Sequence, residues 1–494
     1  MSSSSLPSTP VSTLNLKTKL GYGIGEIGKE IPGSIQVFFL LFFLTDVIGL
    51  SPSLAGSVLL VGKIWDAVND PLVGWLSDRT RTRWGRRFPW MICGAIPLGL
   101  SFFFMWWIPP FAAQWQLFLY YSTVLVAFYA ALTSFSIPYT TLAAELTQTY
   151  DERTQLVSFK SAFAIGSSIL GLIIAQIIFG IVDDIRLRYT LLGAICGVII
   201  ITTIFTCVWA TFQRYKQLQS ASMTTAPPVR TSVKLTNAHK TKSSAPVPFF
   251  QQFRIVFSYR PFLLVMGIYL CSWVALQTTA GILQYFVINW MGLSVQHFTQ
   301  MVLMVQGTAL AMMLFWSPLG QRIGKRAIYC WGIPLTIAAQ VGLFLLKPGQ
   351  IVEMYALGFL AGCGLSTAYL VPWSMLPDVI DMDELQTGQR REGIFCGLMV
   401  QLQKFGTAFA IFVVGRVLES AGYIAQASGE DLAISQPDSA LTAIRWLLGP
   451  IPAVILLAGV GFAAIYPISR TVHNDIVMKL RSRSTVSSSE DLML

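Results

Sequence analysis

Two acidic residues, Asp66 and Asp70, lie in the middle of a stretch that is otherwise mostly apolar, from residue 54 to residue 77. One carboxylate near the centre of a bilayer costs roughly 3 kcal/mol on insertion scales, so two of them need a compensating interaction. Their spacing of four residues places both on one face of a helix, with Asn69 beside them. Carboxylate and amide oxygens bind hard cations such as Na⁺, and two neighbouring carboxylates can hold a proton instead. The pattern predicts a cation or proton site; the alternative is an ion pair with Lys63 that only fixes helix packing.

A second group of charges, Glu26, Lys29 and Glu30, lies inside the first apolar stretch among several glycines. Glu26 and Glu30 are again about one helical turn apart. Glycines allow neighbouring backbones to approach closely, and a polar substrate needs donors and acceptors at this depth. We therefore expect a substrate-binding face here. The alternative is that these side chains extend toward the cytoplasmic interface, which is easier for Glu26 than for Glu30.

Two lysines also lie in apolar stretches. Lys404 stands alone between apolar residues. Because an unpaired ammonium is costly in a membrane, we expect Lys404 to meet a carboxylate or a substrate from another helix. Lys160 lies near the start of a span, where it either contributes to the substrate site or faces the cytoplasmic headgroups.

Acidic and basic residues cluster where other apolar stretches end. The acidic members are Glu145, Asp378, Asp381, Asp383 and Glu384, and the basic members are Arg153, Arg390 and Arg391. This arrangement predicts a gating network of interfacial salt bridges that is closed when the cavity faces outward. Solvated loop charges are the alternative, because exposed ion pairs contribute little.

The composition requires membrane-spanning elements to position these charges. Hydrophobic residues make up 54% of the chain and charged residues 12%, and the mean hydropathy is +0.61. These values are typical of an all-α membrane protein with repeated apolar runs. Twelve spans are predicted, at 20–44, 54–77, 89–108, 114–145, 156–181, 190–212, 262–290, 299–319, 327–346, 352–377, 394–421 and 441–466.

Basic residues alternate between the loops. Loops at 79–87, 153, 322–326 and 390–391 are rich in arginine and lysine, whereas the opposite loops are poor in both. The positive-inside rule then predicts that the basic loops and both termini are cytoplasmic, in a plasma (inner) membrane. The net charge of +10 is explained by this topology rather than by nucleic-acid binding. The N-terminus lacks the pattern of a cleaved signal peptide.

A polar segment divides the spans into two sets of six. We predict a disordered cytoplasmic tail (1–18), an N-terminal six-helix bundle (19–213), a cytoplasmic linker (214–258), a C-terminal six-helix bundle (259–467) and a second cytoplasmic tail (468–494). The halves also share a faint repeat, since Ile137-Pro138-Tyr139 in span four matches Val371-Pro372-Trp373 in span ten. Two six-helix repeats around a midplane site are the layout of the major facilitator fold.

Several short motifs occur in order along nearly the whole chain. They are Tyr22-Gly23-Ile24-Gly25, Gly28-Lys29-Glu30, Trp65-Asp66-Ala67-Val68-Asn69-Asp70-Pro71, Trp84-Gly85-Arg86-Arg87, Ile137-Pro138-Tyr139, Glu152-Arg153-Thr154-Gln155 and Gln403-Lys404-Phe405-Gly406. In these motifs the chain resembles the glycoside–pentoside–hexuronide:cation symporters, of which the melibiose carriers are the best known. The resemblance implies a set of coupling-cation ligands, namely Asp66, Asn69, Asp70 and Thr133.

The same resemblance implies roles at the substrate site. Glu30 corresponds to an acidic residue that holds the sugar, with Lys29 beside it, and Lys404 corresponds to a lysine that links the cation and sugar sites. Lys160 corresponds to a basic residue early in span five. One position departs from the melibiose carriers, because the acid that binds sugar hydroxyls there is replaced by Ser136, which offers one hydroxyl.

These observations predict a cation-coupled symporter that works by alternating access. We expect a small solute, a sugar or glycoside, to be carried with Na⁺ or H⁺ by a monomer in the lipid bilayer. The alternatives are a non-sugar solute such as a lysolipid, and a non-transporting membrane receptor on the same fold. An enzyme is not expected, because the sequence contains no catalytic triad and no metal-ligand cluster, and its seven cysteines are scattered. No cofactor beyond the coupling cation is expected.

Overall fold

The computed structural model describes residues 14–147, 150–224, 259–388, 391–425 and 435–468, together with the short pieces 472–473, 475–476 and 478–479. Every regular element in this part of the chain is helical. The first half contains α1 (Leu16–Ile35), α2 (Pro52–Arg79), α3 (Phe88–Trp106), α4 (Gln114–Leu146), α5 (Tyr150–Ile181) and α6 (Ile185–Thr224). The second half contains α7 (Arg260–Tyr285), α8 (Val295–Ile323), α9 (Lys325–Leu345), α10 (Ile351–Thr387), α11 (Glu392–Ser420), α12 (Asp438–Leu448) and α13 (Pro450–Ala464).

Three helical rods depart from a regular α-helix. α1 continues through two π-helical turns, Gln36–Leu40 and Phe43–Val47, and α7 continues through one, Phe286–Trp290. α12 and α13 form one interrupted rod, because Pro450 starts a new helix directly after Gly449. Counting that rod once, the described chain contains twelve long helical rods, as the sequence predicts.

Ten of these rods are long and apolar enough to span a membrane by composition alone. The two outside that set are α1, which carries Glu26, Lys29 and Glu30, and α2, which carries Asp66 and Asp70.

Each half packs mainly within itself. In the first half α1 packs against α5 and α6, α3 against α4 and α6, and α2 against α4. In the second half α10 packs against α8 and α9, and α7 against α11 and α13. The halves meet where α2 crosses α11 and where α5 crosses α8. Gly415 permits the first crossing, because a Cβ added there would overlap the carbonyl oxygen of Pro52.

Two predicted boundaries were wrong. α6 runs to Thr224, so the first part of the predicted linker is helical, and it buries Arg214 and Leu218. A helix can extend beyond the membrane with polar residues, and hydropathy does not register such an extension. The predicted N-terminal tail likewise ends earlier, because Asn15 caps α1 and the Leu14 N–H donates to Glu152 Oε1 at 3.0 Å.

The second tail is also partly packed, since Ile476 is buried. The rest of the predicted tails and linker, at 1–13, 225–258 and 480–494, lies outside the described residues.

Candidate substrate cavity and cation site

A central cavity of about 750 Å³ lies between the two halves. Helices α1, α2, α4 and α5 form one wall, and helices α7 to α11 with α13 form the other. The charged members of its described lining are Lys29, Glu30, Lys63, Asp66 and Lys404. Four of these five belong to the first half, so charge is concentrated on that wall.

The ammonium of Lys404 joins the two carboxylates that the sequence singled out. Lys404 Nζ lies 2.9 Å from Asp66 Oδ1 and 2.6 Å from Asp70 Oδ2. The sequence predicts that Lys404 meets a carboxylate or a substrate from another helix, and in the structure it contacts both Asp66 and Asp70. Asp66 is buried, and the side chains of Lys404 and Asp70 are 18% and 20% exposed. Low exposure strengthens these charge–charge contacts, which here connect α11 of one half to α2 of the other.

The other two predicted cation ligands lie beside this pair. Thr133 on α4 donates from Oγ1 to Asp70 Oδ1 at 3.2 Å. Asn69 is buried on α2, and its amide nitrogen lies 3.5 Å from the carbonyl oxygen of Tyr129. The Thr133 hydroxyl therefore joins the two carboxylates that Lys404 bridges, and the Asn69 amide lies next to Asp70 along α2. All are hard oxygen donors, a set suited to Na⁺.

Lys63 does not form the ion pair with Asp66 or Asp70 that was the alternative to a cation site. Its Nζ lies 4.6 Å from the centroid of the Tyr129 ring, a cation–π distance. Among the described residues, the ammonium that pairs with Asp66 and Asp70 is that of Lys404.

The charges on α1 divide between the cavity and the helix packing. Lys29 and Glu30 line the cavity and pair with each other at 2.8 Å. Glu26 is fully buried, with Oε2 at 3.5 Å from Lys29 Nζ and Oε1 at 3.3 Å from Lys160 Nζ on α5. The alternative that Glu26 extends toward the interface is therefore wrong. Glu26 instead connects Lys29 to α5.

Three predicted substrate residues are outside the described lining of the cavity. Glu26 and Lys160 face each other where α1 packs on α5, and Ser136 is a half-buried residue on α4. Contact between these three residues and a substrate therefore stays a prediction. α1 turns Glu26 toward α5, while Lys29 and Glu30, one turn on, face the cavity.

The uncharged polar lining was not predicted. Gln277, Gln306, Gln340 and Gln403 line the cavity, one each from α7, α8, α9 and α11. Each lies inside a predicted apolar span, where an amide also requires a hydrogen-bond partner. This signal was present in the sequence, but it is weaker than that of a charge.

One end of the bundle is held closed by hydrogen bonds between the halves. Tyr423 donates to Asp46 Oδ1 at 2.6 Å, and the hydroxyls of Thr45 and Tyr285 are 2.7 Å apart. At the same end the Ser53 N–H donates to Glu419 Oε2 at 2.7 Å. Asp46 was missed because it lies two residues beyond the predicted first span.

At the opposite end, the predicted gating residues pair within their own half. Glu145 Oε1 accepts from Arg86 at 2.8 Å and from Arg87 at 3.4 Å. Similarly, Asp378 pairs with Lys325 at 2.7 Å, and Asp383 pairs with Arg391 at 3.1 Å. Arg390 and the side chain of Arg153 lie outside the described part of the structure. These described pairs stay within one half, so a gating role for them remains a prediction.

Known proteins are similar to this chain in sequence or in fold. An uncharacterized symporter of Synechocystis sp. is 43% identical, covering 95% of this chain and 97% of that protein. A sodium-dependent lysophosphatidylcholine symporter of Xenopus tropicalis is 26% identical, covering 97% and 93%. The crystal structure of a bacterial homolog of the human lysosomal transporter Spinster, inward-facing and unoccupied, superposes with a TM-score of 0.64 at 13% identity, covering 94% and 97%.

These matches confirm the predicted major facilitator fold and the predicted symporter. The model of the MFS/sugar transport protein family matches residues 21–470. Because this match spans most of the chain, the protein belongs to the MFS/sugar transport protein family.

Proposed function

We propose that the protein is a Na⁺-coupled symporter of an amphiphilic solute of the lysophospholipid type. It would work by alternating access, with the solute bound in the central cavity. The relative from Xenopus tropicalis, named as a sodium-dependent lysophosphatidylcholine symporter, supports both the cation and the solute class. Sequence similarity to symporters favours a transport function over a receptor function.

Charged side chains on one wall of the cavity and apolar side chains on the other carry this proposal. Lys29 and Glu30 supply one positive and one negative group, which suit a zwitterionic headgroup. The opposite wall includes apolar side chains of α8, among them Met301, Val305 and Leu310. These apolar side chains suit an acyl chain, whereas sugar hydroxyls that faced them would lack partners.

The sugar alternative is weakened at the position where the sequence departs from melibiose carriers. Ser136 replaces the sugar-binding acid, and Ser136 is also outside the described lining of the cavity. A sugar site would have to rely on Glu30 and on the glutamines of the other wall. Membership of the melibiose-carrier group therefore remains a resemblance.

The coupling cation would bind at Asp66, Asp70, Asn69 and Thr133. The ammonium of Lys404 contacts both carboxylates, so it competes with a cation for the same oxygens. Cation binding would free Lys404, which also lines the cavity, to face the solute. Each ligand would then raise the affinity for the other, as a symporter requires.

The predicted topology indicates which side of the membrane the closed end faces. If the basic loops are cytoplasmic, Asp46 lies at the extracellular end and the conformation described here is closed to the outside. The protein would then be a monomer in the plasma (inner) membrane with cytoplasmic termini.

Uptake by proteoliposomes tests the solute and the cation together. A fluorescent lysophosphatidylcholine, removed from the outer leaflet with albumin, should accumulate when a Na⁺ gradient is applied. Asp66→Asn and Asp70→Asn should abolish this stimulation, because each removes a charged ligand. Asp184→Asn is a matched control, since Asp184 caps α6 through the Arg186 N–H and is exposed.

Two outcomes would contradict the proposal. Na⁺-driven uptake of melibiose or another sugar, without uptake of the lysolipid, would overturn the proposed solute class. Full cation stimulation in both carboxylate variants would overturn the cation site.

A further inference from the structure

Asp46 is a buried carboxylate at the closed end of the bundle, on a different helix from the predicted cation ligands. It lies in the second π-helical turn of α1 and is 7% exposed. Its Oδ1 accepts from the Tyr423 hydroxyl at 2.6 Å, and its Oδ2 lies 2.5 Å from Thr45 Oγ1. Tyr423 follows α11, so the contact joins the two halves.

The partners of Asp46 extend this contact into a network. Thr45 Oγ1 also lies 2.7 Å from the Tyr285 hydroxyl at the end of α7. The amide of Asn289 in turn donates to the Tyr423 hydroxyl at 3.2 Å. We call Thr45, Asp46, Tyr285 and Tyr423 the outer latch. Two residues of the latch belong to each half, so the halves cannot separate at this end while it is intact.

The described residues around Asp46 include no compensating positive charge. The titratable groups that face it are the phenols of Tyr189 on α6, Tyr285 and Tyr423. Among the described residues, no lysine, arginine or histidine forms an ion pair with Asp46. This contrasts with Asp66 and Asp70, which share the ammonium of Lys404. An ionised carboxylate in such a setting is strongly disfavoured relative to the neutral acid.

A protonated Asp46 satisfies every hydrogen in the latch. The carboxylic acid would donate from Oδ2 to Thr45 Oγ1, and Thr45 would donate to the carbonyl oxygen of Leu41 at 3.2 Å. Tyr285 would donate to Thr45 Oγ1, while Tyr423 donates to Asp46 Oδ1. Each hydroxyl proton then has an acceptor, and the network carries no net charge.

We propose that Asp46 holds a proton while the outer latch is closed, and releases it to external water when the latch opens. The inference rests on the alternating-access mechanism proposed above, and it adds a proton-linked step at the closed end of the bundle, on a residue other than the predicted cation ligands. Because the closed form binds the extra proton, low pH stabilises it. That stabilisation is lost as the pH rises, so opening is favoured at high pH.

The distance between the two halves at this end reports the latch directly. Spin labels on Ala112→Cys, before α4, and on Ser420→Cys, at the end of α11, would sit on exposed residues of opposite halves. Native cysteines would be replaced by alanine, and distances would be measured by double electron–electron resonance in nanodiscs without solute. The long-distance population should rise with pH, at most about tenfold per pH unit for one proton.

One substitution tests the proton on Asp46, and a second tests the contact between the halves. Asp46→Asn, a neutral isostere, should abolish the pH dependence. Tyr423→Phe removes a donor across the latch, so it should increase the long-distance population at every pH. Glu419→Gln is the matched control, because Glu419 is an exposed carboxylate at the same end, and the pH dependence should persist.

The proposal is overturned if the wild-type distances do not change with pH, or if Asp46→Asn retains the change. If Asp46→Asn fails to fold, Tyr423→Phe still decides, since distances identical to those of the wild type would exclude the latch. The measurement needs no solute. Failure of the solute assignment in the uptake assay is therefore distinguishable from failure here.

Discussion

Replacing Lys404 with alanine tests whether its ammonium and the coupling cation compete for the same oxygens. Nζ lies 2.9 Å from Asp66 Oδ1 and 2.6 Å from Asp70 Oδ2. Removing one partner of a buried ion pair costs about 3–5 kcal/mol, and a cation that displaces Lys404 has to supply that free energy. We take the lower value, because water reaches part of the Lys404 and Asp70 side chains.

A free energy of about 3 kcal/mol corresponds to roughly a hundredfold change in a binding constant. Lys404→Ala should therefore raise the Na⁺ affinity of the purified protein by about that factor, as measured by isothermal titration calorimetry. Solute accumulation should nevertheless fall, because the empty carrier would have to reorient with two uncompensated buried carboxylates.

Two further variants are matched to this experiment. Lys160→Ala removes an ammonium that pairs with Glu26 instead, so the Na⁺ affinity should not change. Lys404→Arg keeps the charge and should remain close to the wild type. An unchanged or weaker Na⁺ affinity in well-folded Lys404→Ala would refute the competition.

The remaining predictions concern the contact between the halves and the packing within one half. Gly415→Ala should increase the long-distance population in the spin-label measurement, because the new Cβ overlaps the carbonyl oxygen of Pro52 in the closed form. Gly397→Ala on the same helix meets no atom within 4 Å and should have no effect, and equal behaviour of the two variants would contradict this reasoning. Tyr139→Phe should lower the free energy of unfolding by about 1 kcal/mol, because it removes a buried hydrogen bond. That bond runs from the Tyr139 hydroxyl to the Tyr22 carbonyl oxygen at 2.8 Å. Tyr22→Phe, which loses the longer 3.2 Å reciprocal bond, should cost less, and denaturation in detergent that shows no loss for Tyr139→Phe would contradict the prediction.

Much of the fold and part of the site could be predicted from local sequence patterns. Apolar runs long enough to span a bilayer indicate helices, because a backbone in lipid must satisfy its own hydrogen bonds. Charges inside such runs require partners for the same reason. That argument predicted a carboxylate partner for Lys404, although Lys404 and Asp70 are 334 residues apart.

Local sequence patterns say less where helix rotation and polar helix extensions decide the arrangement. Glu26 and Glu30 are one turn apart on α1, yet Glu26 is buried against Lys160 and Glu30 faces the cavity. A small difference in the angular position of the two side chains around the helix axis places them in different environments. The spacing of the residues in the sequence does not give that angle. The extension of α6 to Thr224 was missed because a polar helix beyond the membrane has no apolar signal.

The sequence by itself determined that twelve helices form two halves, and that Asp66, Asp70 and Lys404 must find partners inside the membrane. The cost of burying charge makes the conclusion about these three residues independent of the details of packing. Only the tertiary structure decided that one ammonium joins both carboxylates, that Glu26 serves packing, and that Asp46 closes one end with tyrosine hydroxyls. These outcomes depend on which helix faces meet across the two halves, and that is a property of the assembled bundle.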